Sequence, residues 1–192
     1  KLVLMVAGVA PLLAGMYIPL YLIGLVSDRD ASAAYIAGST AVGYALGAVL
    51  TPALGVFSDR KQNKSSLLLG VLLLLAVALL GIVAFREVLV VSALAVVVGV
   101  ASQWLVMLQN AILMLRISAE RSTTFFLANQ LPFYAGLPLG LLFGIGAIRI
   151  SGSVANALVM VGCLFLLGAA VWLRPTLREL RRSAVPGPSA VG

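Results

Sequence analysis

The chain has 192 residues, of which 62% are hydrophobic and only 10% are charged. Soluble domains are about half apolar and about a quarter charged, so this composition excludes a soluble domain, a coiled coil and a disordered chain, and it indicates a membrane protein. The net charge of +7 does not indicate a nucleic-acid partner, because the basic residues lie in short gaps between apolar runs, where positive charge orients membrane helices.

Six apolar runs predict six membrane-spanning helices. A helix needs about 20 residues to cross about 30 Å of hydrocarbon, and lipid offers no partner to the open edge of a strand. The predicted spans cover residues 2–26, 33–57, 66–85, 88–115, 124–148 and 154–173. Residues 174–192 are predicted to be a basic tail that starts as a helical turn and breaks at the Pro-Gly-Pro of residues 186–188.

Basic residues accumulate on one side of this predicted bundle. Ten of them lie on the side that holds both termini and the second and fourth connections. The other side holds three, namely Arg29, Arg86 and Arg149. The positive-inside rule then predicts a multi-pass protein of the cell membrane, the inner membrane of a bacterium, with both termini in the cytoplasm.

The spans also differ in polarity. The first, second, fourth and fifth spans carry amides, hydroxyls and phenols, whereas the third and sixth are almost wholly apolar. This difference predicts that the third and sixth spans face lipid and that the other four face one another. The order of two polar spans followed by one apolar span occurs twice, which indicates two repeats of three helices. Because each repeat has an odd number of spans, the second repeat crosses the membrane in the opposite direction from the first. Inverted repeats of this kind are typical of secondary transporters.

Polar side chains near the middle of four spans predict a central uncharged cavity. Four residues on four different spans, Tyr17, Tyr44, Gln103 and Tyr134, each lie within about three residues, or about 5 Å, of the centre of their span. The predicted cavity residues are Tyr17, Tyr21, Tyr44, Gln103, Asn110, Asn129, Gln130 and Tyr134. No ionisable side chain lies deep in a span, which favours a neutral, polar substrate. The alternative is that these groups only join helices to one another.

The inventory of residues argues against catalysis and metal binding. The chain has no His, which removes histidine metal ligands and nucleophile-His pairs. Its single cysteine, Cys163, lies in an apolar run and is expected to be a buried packing thiol. We therefore expect no metal, no cofactor and no enzymatic activity.

The connection between the second and third spans carries a sequence motif. The motif consists of a glycine, any three residues, the pair Asp-Arg, any three further residues and then a basic residue. The matching residues are Gly55, Asp59, Arg60 and Lys64. The pattern resembles the signature loop of the major facilitator superfamily, although Gln62 and Asn63 stand where the fuller motif has a glycine and an arginine. Without the resemblance, the same residues suit a positive-inside turn that holds the loop at anionic headgroups.

The resemblance covers the whole chain and implies an all-α membrane protein that forms one six-helix half of a major facilitator fold. Residues 16–20, with the sequence MYIPL, are similar to the C-terminal half of bacterial sugar efflux transporters. The signature residues would then form a cytoplasmic gate, with Gly55 allowing two helices to approach closely. The implied partners are the lipid bilayer, a small-molecule substrate, and the other six-helix half or a second copy of this chain.

The expected function is secondary active transport by alternating access, exporting a small uncharged or weakly polar solute such as a sugar. A drug or metabolite efflux antiporter is the alternative within the same class. A non-transporting scaffold or assembly subunit is the alternative from another class.

Overall fold

The structure is a computed structural model that describes residues 2–26, 28–60, 64–116, 138, 141–142 and 144–184. Within these ranges the chain is helical and contains no strand. The helices are α1 (Leu2–Leu25), α2 (Arg29–Arg60), α3 (Lys64–Ala84), α4 (Val88–Arg116), α5, of which residues 144–151 form the last part, and α6 (Val154–Ala184). Helices α2, α3, α4 and α6 are each long and apolar enough to cross a membrane, so the chain is a multi-pass membrane protein.

The predicted spans agree closely with the first four helices. Their ends differ from the bounds of α1 to α4 by at most four residues, and most of the fifth span lies outside the described residues. The sixth helix is longer than its predicted span, because it continues past Leu173 to Ala184. Its 31 residues correspond to about 46 Å at about 1.5 Å per residue, so its last third extends beyond a hydrocarbon layer of about 30 Å.

Local sequence explains two of the helix boundaries. At the start of α2, the Asp28 carboxylate accepts a hydrogen bond from the Asp30 amide at 2.9 Å, which is the bond expected of an N-terminal capping residue. Before α6, Gly152 adopts a positive φ of 69°, a conformation that glycine adopts without steric cost. The Ser153 hydroxyl then accepts a hydrogen bond from the Ala155 amide at 3.2 Å and caps α6.

Helices α2 and α4 pack together through glycines. A Cβ atom added to Gly43 would lie 3.7 Å from the Cα atom of Gly99 and 3.5 Å from the carbonyl oxygen of Val96, so the two backbones are in direct contact. Gly43 and Gly47 are four residues apart on one face of α2 and are both buried. This spacing is the small-residue pattern that permits close helix packing in membranes.

The burial of α2 and α3 is the reverse of the one predicted from polarity. Nine of the 21 residues of α3 are buried, because its leucines pack between α4 and α6. In α2, by contrast, only four of the described residues are buried, and two of them are glycines. The prediction that the third and sixth spans simply face lipid, while the second lies in the interior, is therefore wrong for the single chain. The apolar composition of a helix does not show whether it faces lipid or the leucines of another helix, because both surroundings are apolar.

The prediction for the single cysteine is also wrong. Cys163 is exposed on α6, whereas the buried face of this helix carries Leu158, Val161 and Phe165. Positions 158, 161 and 165 follow helical spacing, and position 163 falls on another face.

Candidate functional site

A cavity of about 850 Å³ lies between α1, α2 and α4. Thirteen of its twenty described lining residues are apolar, glycine or proline. The other seven carry uncharged polar side chains and are Ser39, Thr40, Tyr44, Thr51, Ser102, Gln103 and Asn110. None of the described lining residues is charged. The volume falls within the range of about 300–1,000 Å³ that is usual for small-molecule sites.

Two of these polar residues lie at the middle of the helices that contribute them. Tyr44 and Gln103 are each within one residue of the midpoints of α2 and α4. Asn110 follows Gln103 by seven residues, which places it about 10 Å further along the same face of α4. Contacts pair Gly43 with Gly99 and Gly47 with Gln103, so α2 and α4 run in parallel and their polar groups follow the cavity together.

The structure brings together three of the eight predicted cavity residues. Tyr44, Gln103 and Asn110 line the cavity. Tyr17 is only 3% exposed and does not line it, because its hydroxyl lies against the backbone of Gly144 in α5. Tyr21 packs at the edge of the apolar core and is also absent from the described lining. The other three predicted residues, Asn129, Gln130 and Tyr134, lie outside the described residues.

Gly47 contacts the cavity-lining residue Gln103, and the sequence did not single it out. A Cβ atom at this position would overlap the side-chain amide of Gln103, so only glycine leaves room for that amide against α2. Gly144 has the same relation to the phenol of Tyr17. The available signal was the four-residue spacing of small residues along α2, at Ser39, Gly43, Gly47, Thr51 and Gly55.

Several polar atoms at this contact are buried without a hydrogen-bond partner in the described part of the chain. They include Thr51 Oγ1 on α2 and Gln103 Nε2 and Asn110 Oδ1 on α4. Buried amide and hydroxyl groups are normally paired, and an unpaired one costs about 1–3 kcal/mol. These unpaired polar atoms of α2 and α4 would therefore be stabilised by a molecule that reached them and formed hydrogen bonds.

The described residues of the predicted gate loop form an ion pair. Lys64 Nζ lies 3.1 Å from Asp59 Oδ1, and the Asp59 side chain is 77% exposed. A Cβ atom added to Gly55 would lie 3.8 Å from Met107 Sδ, which is an ordinary contact distance. The contact between α2 and α4 therefore does not require glycine at position 55. The side chain of Arg60 lies outside what the structure describes.

Comparisons with protein-family models, with curated proteins and with solved structures found no match for this chain. Across the described ranges, no group of three or more Cys, Asp or Glu side chains comes close enough to hold a metal ion. The chemistry that the cavity offers is therefore that of its described lining, which is hydrogen bonding from amides and hydroxyls together with apolar contact.

Proposed function

We propose that this chain is one six-helix half of a secondary active transporter with a major facilitator fold, and that it exports a small uncharged or weakly polar solute by alternating access. The observation that carries the proposal is the cavity between α1, α2 and α4, whose described lining is uncharged and includes Tyr44 and Gln103 at mid-helix. Binding sites near the bilayer midplane at a repeat interface are typical of secondary transporters. The chain acts as a carrier and not as an enzyme.

The exposure of Tyr44 in the cavity lining supports the presence of a partner that covers this side of the chain. Tyr44 is 68% exposed although it lies at the middle of a membrane-spanning helix. A phenol placed at this depth is better accommodated by protein or by an aqueous path than by acyl chains. The face of α2 and α4 that carries Tyr44 therefore suits a second six-helix body, either the other half of a longer protein or a second copy of this chain, which would close the cavity.

Paired contacts support two inverted repeats of three helices. If α1 to α3 correspond to α4 to α6, then the α3–α4 contact corresponds to the α6–α1 contact, and both are present. The α2–α4 contact would correspond to one between α5 and α1. Gly47 of α2 accommodates Gln103 of α4, and Gly144 of α5 accommodates Tyr17 of α1, which fits that correspondence.

The loop after α2 would act as the cytoplasmic gate. The Asp59–Lys64 pair joins the end of α2 to the first residue of α3, so a change in the angle between these helices would break it. Both termini would then be cytoplasmic, in a bacterial inner membrane. The described residues offer no carboxylate within the cavity, so proton-coupling carboxylates, if used, belong to the partner half.

Two substrate classes compete within this proposal, sugars and lipophilic drugs or metabolites. Proteoliposomes that contain the chain with its partner half should be tested with a panel of labelled sugars and a panel of cationic dyes. Uptake or efflux of a sugar that is lost in Tyr44→Ala, with normal insertion, supports the sugar exporter. Dye efflux that is lost in Tyr44→Ala, with no sugar phenotype, counts against sugars and supports drug efflux.

A scaffold or assembly subunit is the candidate from another class. Asp59→Asn separates it from a transporter, because the exchange removes the charge of the gate pair and keeps the shape of the side chain. A gate role predicts lost transport at normal expression. Asp28→Asn, at the other end of α2, is the matched control and should transport normally. Equal activity of both variants would contradict the gate.

A further inference from the structure

One polar residue of the cavity lining, Gln103, has its amide against the neighbouring helix α2. The amide of Gln103 lies against the backbone of Gly47, and Nε2 has no hydrogen-bond partner in the described part of the chain. Gln103 nevertheless lines the cavity. A rotation about its side-chain torsions would turn the amide from Gly47 toward the cavity.

The rest of the wall determines what the amide meets when it turns. Most of the described lining is apolar, and none of it is charged. A charged solute would lose its hydration without a compensating partner, whereas the apolar part of a neutral solute would gain contact. Asn110 Oδ1, about 10 Å further along α4, is also buried without a hydrogen-bond partner among the described residues and would gain from a donor that reached it.

We propose that the cavity binds a neutral, largely apolar solute that carries a carbonyl, sulfonyl or hydroxyl oxygen, and that Gln103 recognises this oxygen by turning its amide away from Gly47. In the empty site the amide of Gln103 lies against the backbone of Gly47, where a Cβ atom would otherwise be. In the occupied site Nε2 donates to the solute. The inference deepens the proposed transport function at the same site, but it concerns binding and does not require transport.

Three dansyl probes with different charge test the chemistry. Dansylamide is neutral and carries sulfonyl acceptors, dansylcholine is a cation and dansylglycine is an anion at pH 7. The full chain in nanodiscs is titrated with each probe, and energy transfer from tryptophan, to which Trp104 beside Gln103 contributes, is recorded. Saturable transfer displaced by excess benzenesulfonamide distinguishes site binding from partition into lipid. We expect dansylamide to bind at least tenfold more tightly than either charged probe.

Variants on both sides of the contact test the role of Gln103. Gln103→Met keeps the length of the side chain and removes the donor, so dansylamide binding should weaken about tenfold, the usual effect of one lost hydrogen bond. Gly47→Ala fills the space above α2 and keeps the amide turned toward the cavity, so binding should be at least as tight as in the wild type. Gly38→Ala is the matched control, because its Cβ atom would meet nothing within 4 Å, and it should bind as the wild type does.

Circular dichroism and gel filtration establish that each variant is folded. Equal binding by Gln103→Met and the wild type would overturn the proposal, as would equal binding of dansylcholine and dansylamide. Loss of binding in a folded Gly47→Ala protein would also overturn it, because the amide would then act from its position on Gly47. Binding that follows the expected order without any transport in proteoliposomes would contradict the proposed function and leave this inference intact.

Discussion

The indole N–H of Trp172 donates a hydrogen bond of 3.1 Å to the backbone carbonyl of Ser65, 107 residues earlier in the chain. Thr176 Oγ1 lies 3.4 Å from the same carbonyl oxygen, and all three residues are buried. This contact joins the middle of α6 to the first turn of α3. It also anchors Ser65, the residue that follows Lys64, so α6 holds the α3 side of the Asp59–Lys64 pair.

Replacing this indole should weaken the fold measurably. Trp172→Phe removes the donor and leaves the Ser65 carbonyl with a weaker set of partners, which should lower the free energy of unfolding by about 1 kcal/mol. Trp104→Phe is a matched control, because Trp104 Nε1 has no partner in the described part of the chain, and it should change stability little. Thermal unfolding in detergent measures both. Equal melting temperatures for the two variants would contradict the role of the hydrogen bond.

The contact of Tyr17 with Gly144 should appear as coupling between two substitutions. Gly144→Ala places a Cβ atom into the Tyr17 phenol, and such overpacking should cost about 1–3 kcal/mol. Tyr17→Leu removes the obstructing ring, so the double variant should be more stable than the sum of the two single effects predicts. A double-mutant cycle by chemical unfolding measures this, and additive effects would show that the two residues do not touch.

Substitutions at Gly43 should depend on size. Alanine at this position would make contacts of 3.5 Å or more, so Gly43→Ala should fold normally. Gly43→Leu should force α2 away from α4 and destabilise the protein by about 1–3 kcal/mol. Gly38→Leu, placed where nothing lies within 4 Å, is the control for side-chain size. Comparable melting temperatures for the two leucine variants would show that the glycine contact is not tight.

Leucines on α3 should divide into two groups. Leu75 is fully buried and Leu74 is 39% exposed, although the two are adjacent in an unbroken apolar run. Leu75→Ala should therefore cost about 2 kcal/mol or more, and Leu74→Ala clearly less. Unfolding in detergent compares them directly. Equal losses would support a lipid-facing third helix and contradict the packing of α3 between α4 and α6.

The Asp59–Lys64 pair should contribute little to stability. Because Asp59 is largely exposed, Asp59→Asn should change the free energy of unfolding by less than about 1 kcal/mol, and the small effect should vanish in high salt. A large loss of stability would assign the pair a structural role and would remove the value of Asp59→Asn as a test of gating.

Hydropathy alone predicted where the first four helices begin and end, because a membrane imposes one length on every apolar span. It did not predict which face each helix buries. The leucines of α3 serve equally well against lipid or against α6, so their polarity carries no information on their neighbours. The better signal was the spacing of small residues on α2, since close backbone contact needs the absence of a side chain at every fourth position.

The same reasoning placed Tyr44, Gln103 and Asn110 at one cavity but also placed Tyr17 there. Tyr17, Tyr44 and Gln103 are polar residues at mid-span, and Asn110 shares a helix face with Gln103. The depth of a residue follows from its number through the fixed rise of a helix. Rotation about the helix axis is different, because it is set by contacts with other helices.

The sequence by itself determined that this is a helical membrane protein, how long its first helices are and at what depth its uncharged polar groups lie. Only the tertiary structure decided that Gln103 rests on Gly47, that Tyr17 turns to Gly144 and that α3 is more buried than α2. The physical reason is that hydrophobic thickness acts on each helix separately, whereas packing depends on the shapes that two helices present to each other.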